Sequence, residues 1–537
     1  MHPFNLLSEN WIPVRRADGS TDRIAPWRIT DPDPPAVDID TPRPDFKGAL
    51  LELLIGLVQT ACPPENDKAW KRGFKEPPSP ETLKTAFAPL SPSFNLFGAR
   101  PLFLQDLTLT EQEAKTPSPI AALLMDTPGE NATRHNGDFF IKRDQPPEKL
   151  CPACVAAALA TMQAYAPSGG VGYRVSIRGG GPLTTLVIGD TLWETVWSNV
   201  LPLSAKDVEP LPRDPGDSAG KVFPWAAPTH DSHKEGSEIH RAAAHFLHHY
   251  WGMPRRILLA PTEEPDTSPC PVCGRPYNVF VRQFWTTNYG NNYGLGWRHP
   301  LTPYRDQGPG KEPLSLKGIS DGRGYNHWLG LVIGDGETEK FPVRPAKAVD
   351  HYRDATYGDL ETVSRLRAFG YDTDNMKVRN WCEGEYPIYP LDPEEDATFL
   401  GEVTPLLKAA DQVRRNLQTA VKEALFSDGG RDAKSDATLL SDVATRFWSD
   451  TDAAFYALVR ETLGHLGDME KLQTAYEGWR DTLLGAANAI FASVAEDGGA
   501  PPRKAKQIYA ALGRMRAFNY VGCSKLLGIP TQKEAGK

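Results

Sequence analysis

Two short cysteine pairs constrain this chain more than any other feature. Cys151-Pro-Ala-Cys154 and Cys270-Pro-Val-Cys273-Gly274 repeat one Cys-Pro-x-Cys pattern with 115 residues between them. Four thiolates in that arrangement are the ligand set of a closed tetrahedral zinc site. A closed site leaves no position for an activated water, so zinc there is structural and staples two distant segments, making the stretches beside the knuckles neighbours in space. Two disulfides, or four unrelated buried thiols, are the alternatives. Seven cysteines is an odd number, and Cys62, Cys382 and Cys523 show no pairing logic. The opening MHPFNLLSENWIPVRR lacks the apolar stretch of a signal peptide. The thiols are therefore expected to be reduced and the chain cytoplasmic.

With 537 residues there is enough chain for two or more domains, and 40% hydrophobic residues with 13 Trp exclude global disorder. The most apolar run, Ala49 to Val58, carries Glu52 and is too short to cross a bilayer. A buried core helix is expected there, and no membrane partner. The net charge of −9 excludes coating of nucleic acid by bulk attraction; phosphate contacts must come from local basic patches. Such a balance suits a subunit that acts within a larger assembly, although an ordinary acidic soluble enzyme has the same charge.

Proline draws the main boundary. Of 49 prolines, 45 precede residue 405, and residues 406–500 contain none. Proline is excluded from helix interiors, and Leu406, Leu407, Ala410, Val413, Leu417 and Val421 follow a helical period. Helices are predicted near 397–427, 433–464, 468–496 and 502–527, separated by Gly- and Pro-containing breaks. Short loops imply an antiparallel four-helix bundle. Upstream, the runs 183–188, 256–259, 277–281 and 327–333 read as strands among Pro/Gly turns. The expectation is an α+β chain: a large, mixed, loop-rich domain over 1–396 holding the zinc site, then the bundle over 397–537.

No catalytic constellation stands out. Gln307-Gly-Pro-Gly-Lys311 and Ser218-Ala-Gly-Lys221 lack the upstream glycine and the following Ser/Thr of a phosphate-binding loop. His233, His240, His245, His248 and His249 could supply a metal for a nucleic-acid hydrolase, yet the spacing is not that of HExxH, and a surface or interface helix is the competing account. Three stretches near the knuckles suit nucleic acid instead. Residues 168–182 carry six glycines with Arg174 and Arg178, which can approach a ligand closely and hold phosphate. Residues 131–143 mix Phe139 and Phe140 with Arg134, Lys142 and Arg143, as base stacking beside phosphate requires. Residues 278–297 run into an Asn/Gly-rich tip that could read minor-groove edges.

These residues resemble CasA, the large subunit of the type I-E Cascade complex of CRISPR immunity. The resemblance rests on Phe4-Asn-Leu-Leu-Ser-Glu-Asn-Trp-Ile-Pro-Val14, Phe94-Asn-Leu-Phe-Gly-Ala-Arg-Pro101, both knuckles, Arg178-Gly-Gly-Gly-Pro-Leu-Thr-Thr185 and Gly370-Tyr-Asp-Thr-Asp-Asn-Met-Lys377. It implies a non-catalytic subunit that recognises the protospacer-adjacent motif in double-stranded DNA, wedges the duplex open to start an R-loop, and helps recruit a helicase-nuclease. Its partners would be the other Cascade subunits with CRISPR RNA. By the same resemblance the glycine loop falls on Gly169, Gly170 and Gly172, the finger on Asn288, the wedge on Asp374, Asn375 and Met376, and a guide-side loop on Phe140, Ile141 and Lys142. Arg414 and Arg415, with the basic last helix, would steady opened DNA. The chain departs from a well-known member twice, with Asn288 in place of lysine and Asp374-Asn375 in place of Asn-Gln. A hydrolase built on the histidines and a purely architectural scaffold are the competing functions.

Overall fold

The computed structural model describes residues 3–127, 146–167, 169–212, 219–318, 324–335, 341–356, 363–374, 377–392, 394–426, 433–496 and 505–531. The chain divides into two compact units, Met1–Ser320 with Arg344–Pro390, and Asp321–Val343 with Leu391–Lys537.

The first unit is mixed α+β with small antiparallel sheets. Strand β1 (Ile12–Arg16) lies between β2 (Thr21–Ile24) and β3 (Ala36–Ile39). Helix α1 (Pro44–Ala61) follows, with proline in its first turn where the missing N–H costs nothing. Its sequence is apolar almost all round, so it is buried, as expected for 49–58, against α2 (Pro152–Tyr165). Among the described residues no helix is long and apolar enough to cross a membrane. Gly48 lets α1 lie flush on its neighbour, because a Cβ there would come within 2.7 Å of the Phe369 ring.

That ring belongs to a sheet in which β4 (Thr184–Ile188) and β8 (Lys377–Ile388) flank β7 (Ser364–Asp374). A Cβ on Gly370 would sit 2.4 Å from the Pro182 carbonyl oxygen, so the stretches 178–185 and 370–377 meet through glycine. Between β4 and β7 in sequence, β5 (Arg256–Pro269) and β6 (Pro276–Thr287) form a long hairpin with ladder ends Arg256↔Thr287 and Pro269↔Pro276. The second cysteine pair occupies its tip.

The fourth predicted strand, 327–333, is corrected. Tyr325–His327 form a 3₁₀ turn leading into helix α3 (Trp328–Val332), whose residues are all buried. A run apolar on every side has no period that separates strand from helix. In this second unit α4 (Asp396–Phe426), α5 (Ala433–Gly464), α6 (Met469–Phe491) and α7 (Ala505–Leu527) form the four-helix bundle. Leu406, Val413, Leu417 and Val421 line the buried face of α4. Tyr325 stacks on Phe455 with ring centroids 4.3 Å apart, and Trp328 meets Phe399 edge-on. Tyr325 and Trp328 therefore complete the bundle core, whereas a single boundary at 396 assigned them upstream; sequence order does not show which core a short buried segment joins.

Candidate metal centre and nucleic-acid interface

Helix α2 begins at one cysteine knuckle. Cys151 caps it, its Sγ accepting from the Cys154 N–H at 3.5 Å. Cys270 opens the hairpin tip, where its N–H donates to the Arg275 carbonyl and its carbonyl accepts from Gly274 N–H, both at 2.8 Å. Gly274 takes φ +69°, a value that favours glycine. All four cysteines are free thiols, and their Sγ atoms lie within 4.8 Å of one another, with 3.7 Å between Cys151 and Cys273. Tetrahedral zinc–thiolate bonds of about 2.3 Å require sulfurs about 3.8 Å apart. The cage therefore fits a tetrahedral metal ion with no open position. Hydrogen bonds among the thiols, Cys151 first, push Cys270 and Cys273 down, while the same sharing pushes Cys151 and Cys154 up. Arg23 of β2 donates from Nη2 to Cys273 Sγ at 3.2 Å and also bonds Tyr277 Oη. Four thiolates around a dication would carry two net negative charges, one of which this guanidinium offsets. Nothing in the spacing marked Arg23 for that role.

A 14-residue helix is about 21 Å long, and α2 carries the chain that distance from the cysteines. At its other end Gln163 exchanges two hydrogen bonds with the Arg255 backbone, at 2.9 and 3.0 Å, tying the helix to the start of β5. The glycine loop follows, with Gly170 at φ +113° and Gly172 at +75°. Asn288, just past the end of β6, donates from Nδ2 to the Val171 carbonyl at 2.8 Å, and Tyr289 N–H donates to the Gly172 carbonyl at 2.8 Å. A Cβ on Gly172 would lie 2.9 Å from that of Asn288, and one on Gly169 would lie 2.8 Å from Tyr173 Cβ. Gly169, Gly170, Gly172 and Asn288 thus share one place. They meet at the opposite end of α2 from the cysteines, which corrects the expectation that these stretches surround the metal cage.

A family model described as CRISPR-associated protein Cse1 matches residues 5–490. The chain belongs to the Cse1 family. Its fold is similar to that of CasA from Thermus thermophilus, with a TM-score of 0.68 at 20% identity over 98% of this chain and 100% of that one. Cse1 from Acidimicrobium ferrooxidans matches at 0.67 and 17% identity, covering 98% of this chain and 99% of that one. A chain of a structure titled CRISPR RNA-guided surveillance complex matches at 0.67 and 19%, covering 97% and 100%.

The remaining expected residues of this Cse1 chain divide sharply. Arg178 is not a phosphate contact. Its side chain is 1% exposed and pairs with Glu52 at 2.9 Å, with Thr184 and Thr302 also accepting, so its donors are spent in the core. Arg174 donates from Nε to Ser232 Oγ at 2.7 Å and bonds the Ser232 carbonyl, with its guanidinium 5.8 Å from the Tyr289 ring. It braces the turn after Asn288. In the second unit Arg414 is held by Asp411 and Gln418 of its own helix, whereas Arg415 is exposed beside Asp411 at 2.6 Å. Asp374 pairs across the ladder with Lys377; Asn375 and Met376, and the guide-side Phe140, Ile141 and Lys142, lie outside the described residues.

The histidines form neither a metal site nor a surface helix. Residues 246–251 are a 3₁₀ turn, and His248 and His249 are buried. His248 bonds the Lys221 carbonyl and Tyr293 Oη at 2.9 and 3.0 Å, and His249 bonds the Phe246 carbonyl. Burial pushes them down to about 4 and about 3 respectively, so both are neutral core residues. Among the described residues, the four cysteines are the one His/Cys/Asp/Glu group close enough to hold a metal ion.

Proposed function

We propose that this chain is the large, non-catalytic subunit of a CRISPR RNA-guided Cascade complex, reading the protospacer-adjacent motif of double-stranded DNA from the minor groove. The observation that carries the reading is the junction of the glycine loop with Asn288: bare backbone at Gly169–Gly172 lies against an amide side chain from 116 positions further along the sequence. Beyond its bond to Val171, the Asn288 amide has a second N–H and an acceptor oxygen, the two functions that minor-groove edges answer. The absence of charge at this finger makes hydrogen bonding its means of selection. Zinc in the cysteine cage would fix the start of α2 and the hairpin tip, and take no part in chemistry.

The hairpin of Asp374, Asn375 and Met376 would then enter the duplex beside the motif. Unstacking a step costs a few kcal/mol, recovered from groove contacts and from pairing of the target strand with the guide. The loop with Phe140, Ile141 and Lys142 would face the guide, Arg415 would meet a phosphate of the opened strand, and the assembled subunit would help recruit the helicase-nuclease. No bond is broken by this chain.

The test measures target-duplex binding by the guide-loaded partner complex with and without this chain, on intact and scrambled motifs. A motif-dependent gain without cleavage, lost in Gly170→Asp while the chain stays folded at the cost of some backbone strain, is expected. Gain without motif preference would leave a scaffold, and metal-dependent cleavage by the purified chain would restore the hydrolase.

A further inference from the structure

Beneath the glycine loop lies a guanidinium with no counter-charge. Arg255 is 9% exposed, and its Nη2 donates to the Pro167 carbonyl at 2.5 Å. Its Nε and Nη1 are buried without a partner. No carboxylate pairs with it among the described residues, and the neighbour that most favours its charge is Tyr173, whose ring centroid lies 4.7 Å from the guanidinium carbon. Burial lowers Arg255 to about 10, which still leaves it charged at neutral pH.

Every comparison nearby makes this odd. Arg178, buried deeper still, is matched by Glu52. Arg256, the next residue, pairs with Asp106 at 2.6 Å and Glu113 at 3.0 Å. A buried charge without a partner destabilises a fold, and persists where a ligand completes it. Only Arg255 of the three stands beside the glycine loop. Tyr173, which covers it, is 44% exposed and directly follows Gly172 with its left-handed backbone.

We propose that Arg255 is a binding site for a backbone phosphate of the bound duplex: Tyr173 turns aside as DNA meets the glycine loop, and the phosphate takes the place of the missing carboxylate on the unspent N–H groups. This rests on the reading that the glycine loop meets DNA. The site carries affinity without sequence information, since a phosphate is the same at every step. Asn288 and the glycines supply the selection, and Arg255 adds an anchor to any duplex lying against the loop.

The experiment reconstitutes the guide-loaded complex with wild-type, Arg255→Met, Arg255→Lys or Gly170→Asp chain, and measures duplex affinity at about 50 and about 200 mM salt on intact and scrambled motifs. One lost phosphate contact lowers the salt slope by about 0.9, so Arg255→Met should lose about 3.5-fold less affinity than wild type across that range. It should bind more weakly on both motifs with its preference between them unchanged, and Arg255→Lys should restore the slope. The free Arg255→Met chain should melt no lower than wild type, because the substitution removes an unpaired buried charge. A substantially lower melting temperature would make the guanidinium a structural group and overturn the proposal, as would an unchanged salt slope. The wild-type arm keeps the two readings apart: without a motif-dependent gain there, the DNA reading itself fails, whereas a wild-type gain with an unchanged Arg255→Met slope removes only the phosphate.

Discussion

The two ends of helix α2 are built by opposite rules. At the Cys151 end four sulfurs, a donating guanidinium and a knuckle turn satisfy one another within a few ångströms. At the Gly172 end Val171 is 80% exposed, two glycines hold left-handed backbone, and a buried guanidinium has no counter-charge among the described residues. The first end closes on itself once a metal fills the cage. The second leaves its guanidinium unmatched among the described residues. A rigid helix and hairpin between them let one end hold the other in position.

The largest expected effect falls on the closed end. Cys151→Ser should release the metal and lower the stability of the first unit by several kcal/mol, because binding free energy of a structural zinc is folding free energy. Zinc content and melting with and without chelator check it; unchanged values would remove the staple. Acid should act next, nearer the Gly172 end, since Tyr293 Oη joins His248 to the segment after Asn288. His248 and His249 titrate in the unfolded chain near 6.5 but stay neutral in the fold to about 4 and about 3. Their stabilisation is complete above pH 6.5 and is lost as the pH falls below it, by about 2 kcal/mol for each histidine at about pH 5. Denaturant melts at about pH 7 and about pH 5 measure this, and His248→Gln should reduce the difference by about 2 kcal/mol, leaving the contribution of His249. The smallest effect sharpens the closed end: Arg23→Met should weaken zinc affinity about tenfold, as loss of an outer-shell donor does, with the fold retained. Competition with a chromogenic chelator reads it directly.

Where the sequence spoke locally it spoke well. The helices predicted at 397–427 and 433–464 are found at Asp396–Phe426 and Ala433–Gly464, because glycine breaks and an apolar period are written in adjacent residues. The cysteine cage was legible for the same reason. Partners far apart in sequence were not. Glu52, conspicuous in its apolar run, finds Arg178 across 126 positions, and that pairing withdraws Arg178 from any phosphate. The companionship of Gly172 with Asn288 came from resemblance, since no spacing rule links them. Arg255 and Arg256 are indistinguishable as letters; only their placement at the start of β5 gives one two carboxylates and the other none.

The helical unit is interrupted in sequence: residues 321–343 lie in it, while Arg344–Pro390 return to the first unit. Tyr325 and Trp328 are core side chains of a bundle whose four long helices begin some seventy residues later. A single crossover between two genes of this family therefore cannot exchange the bundle alone: it either carries Arg344–Pro390 of the first unit along or leaves 321–343 behind. A hybrid joined near residue 391 inherits an aromatic plug from one parent and the helices that enclose it from the other, so the two segments are bound to change together as sequences diverge.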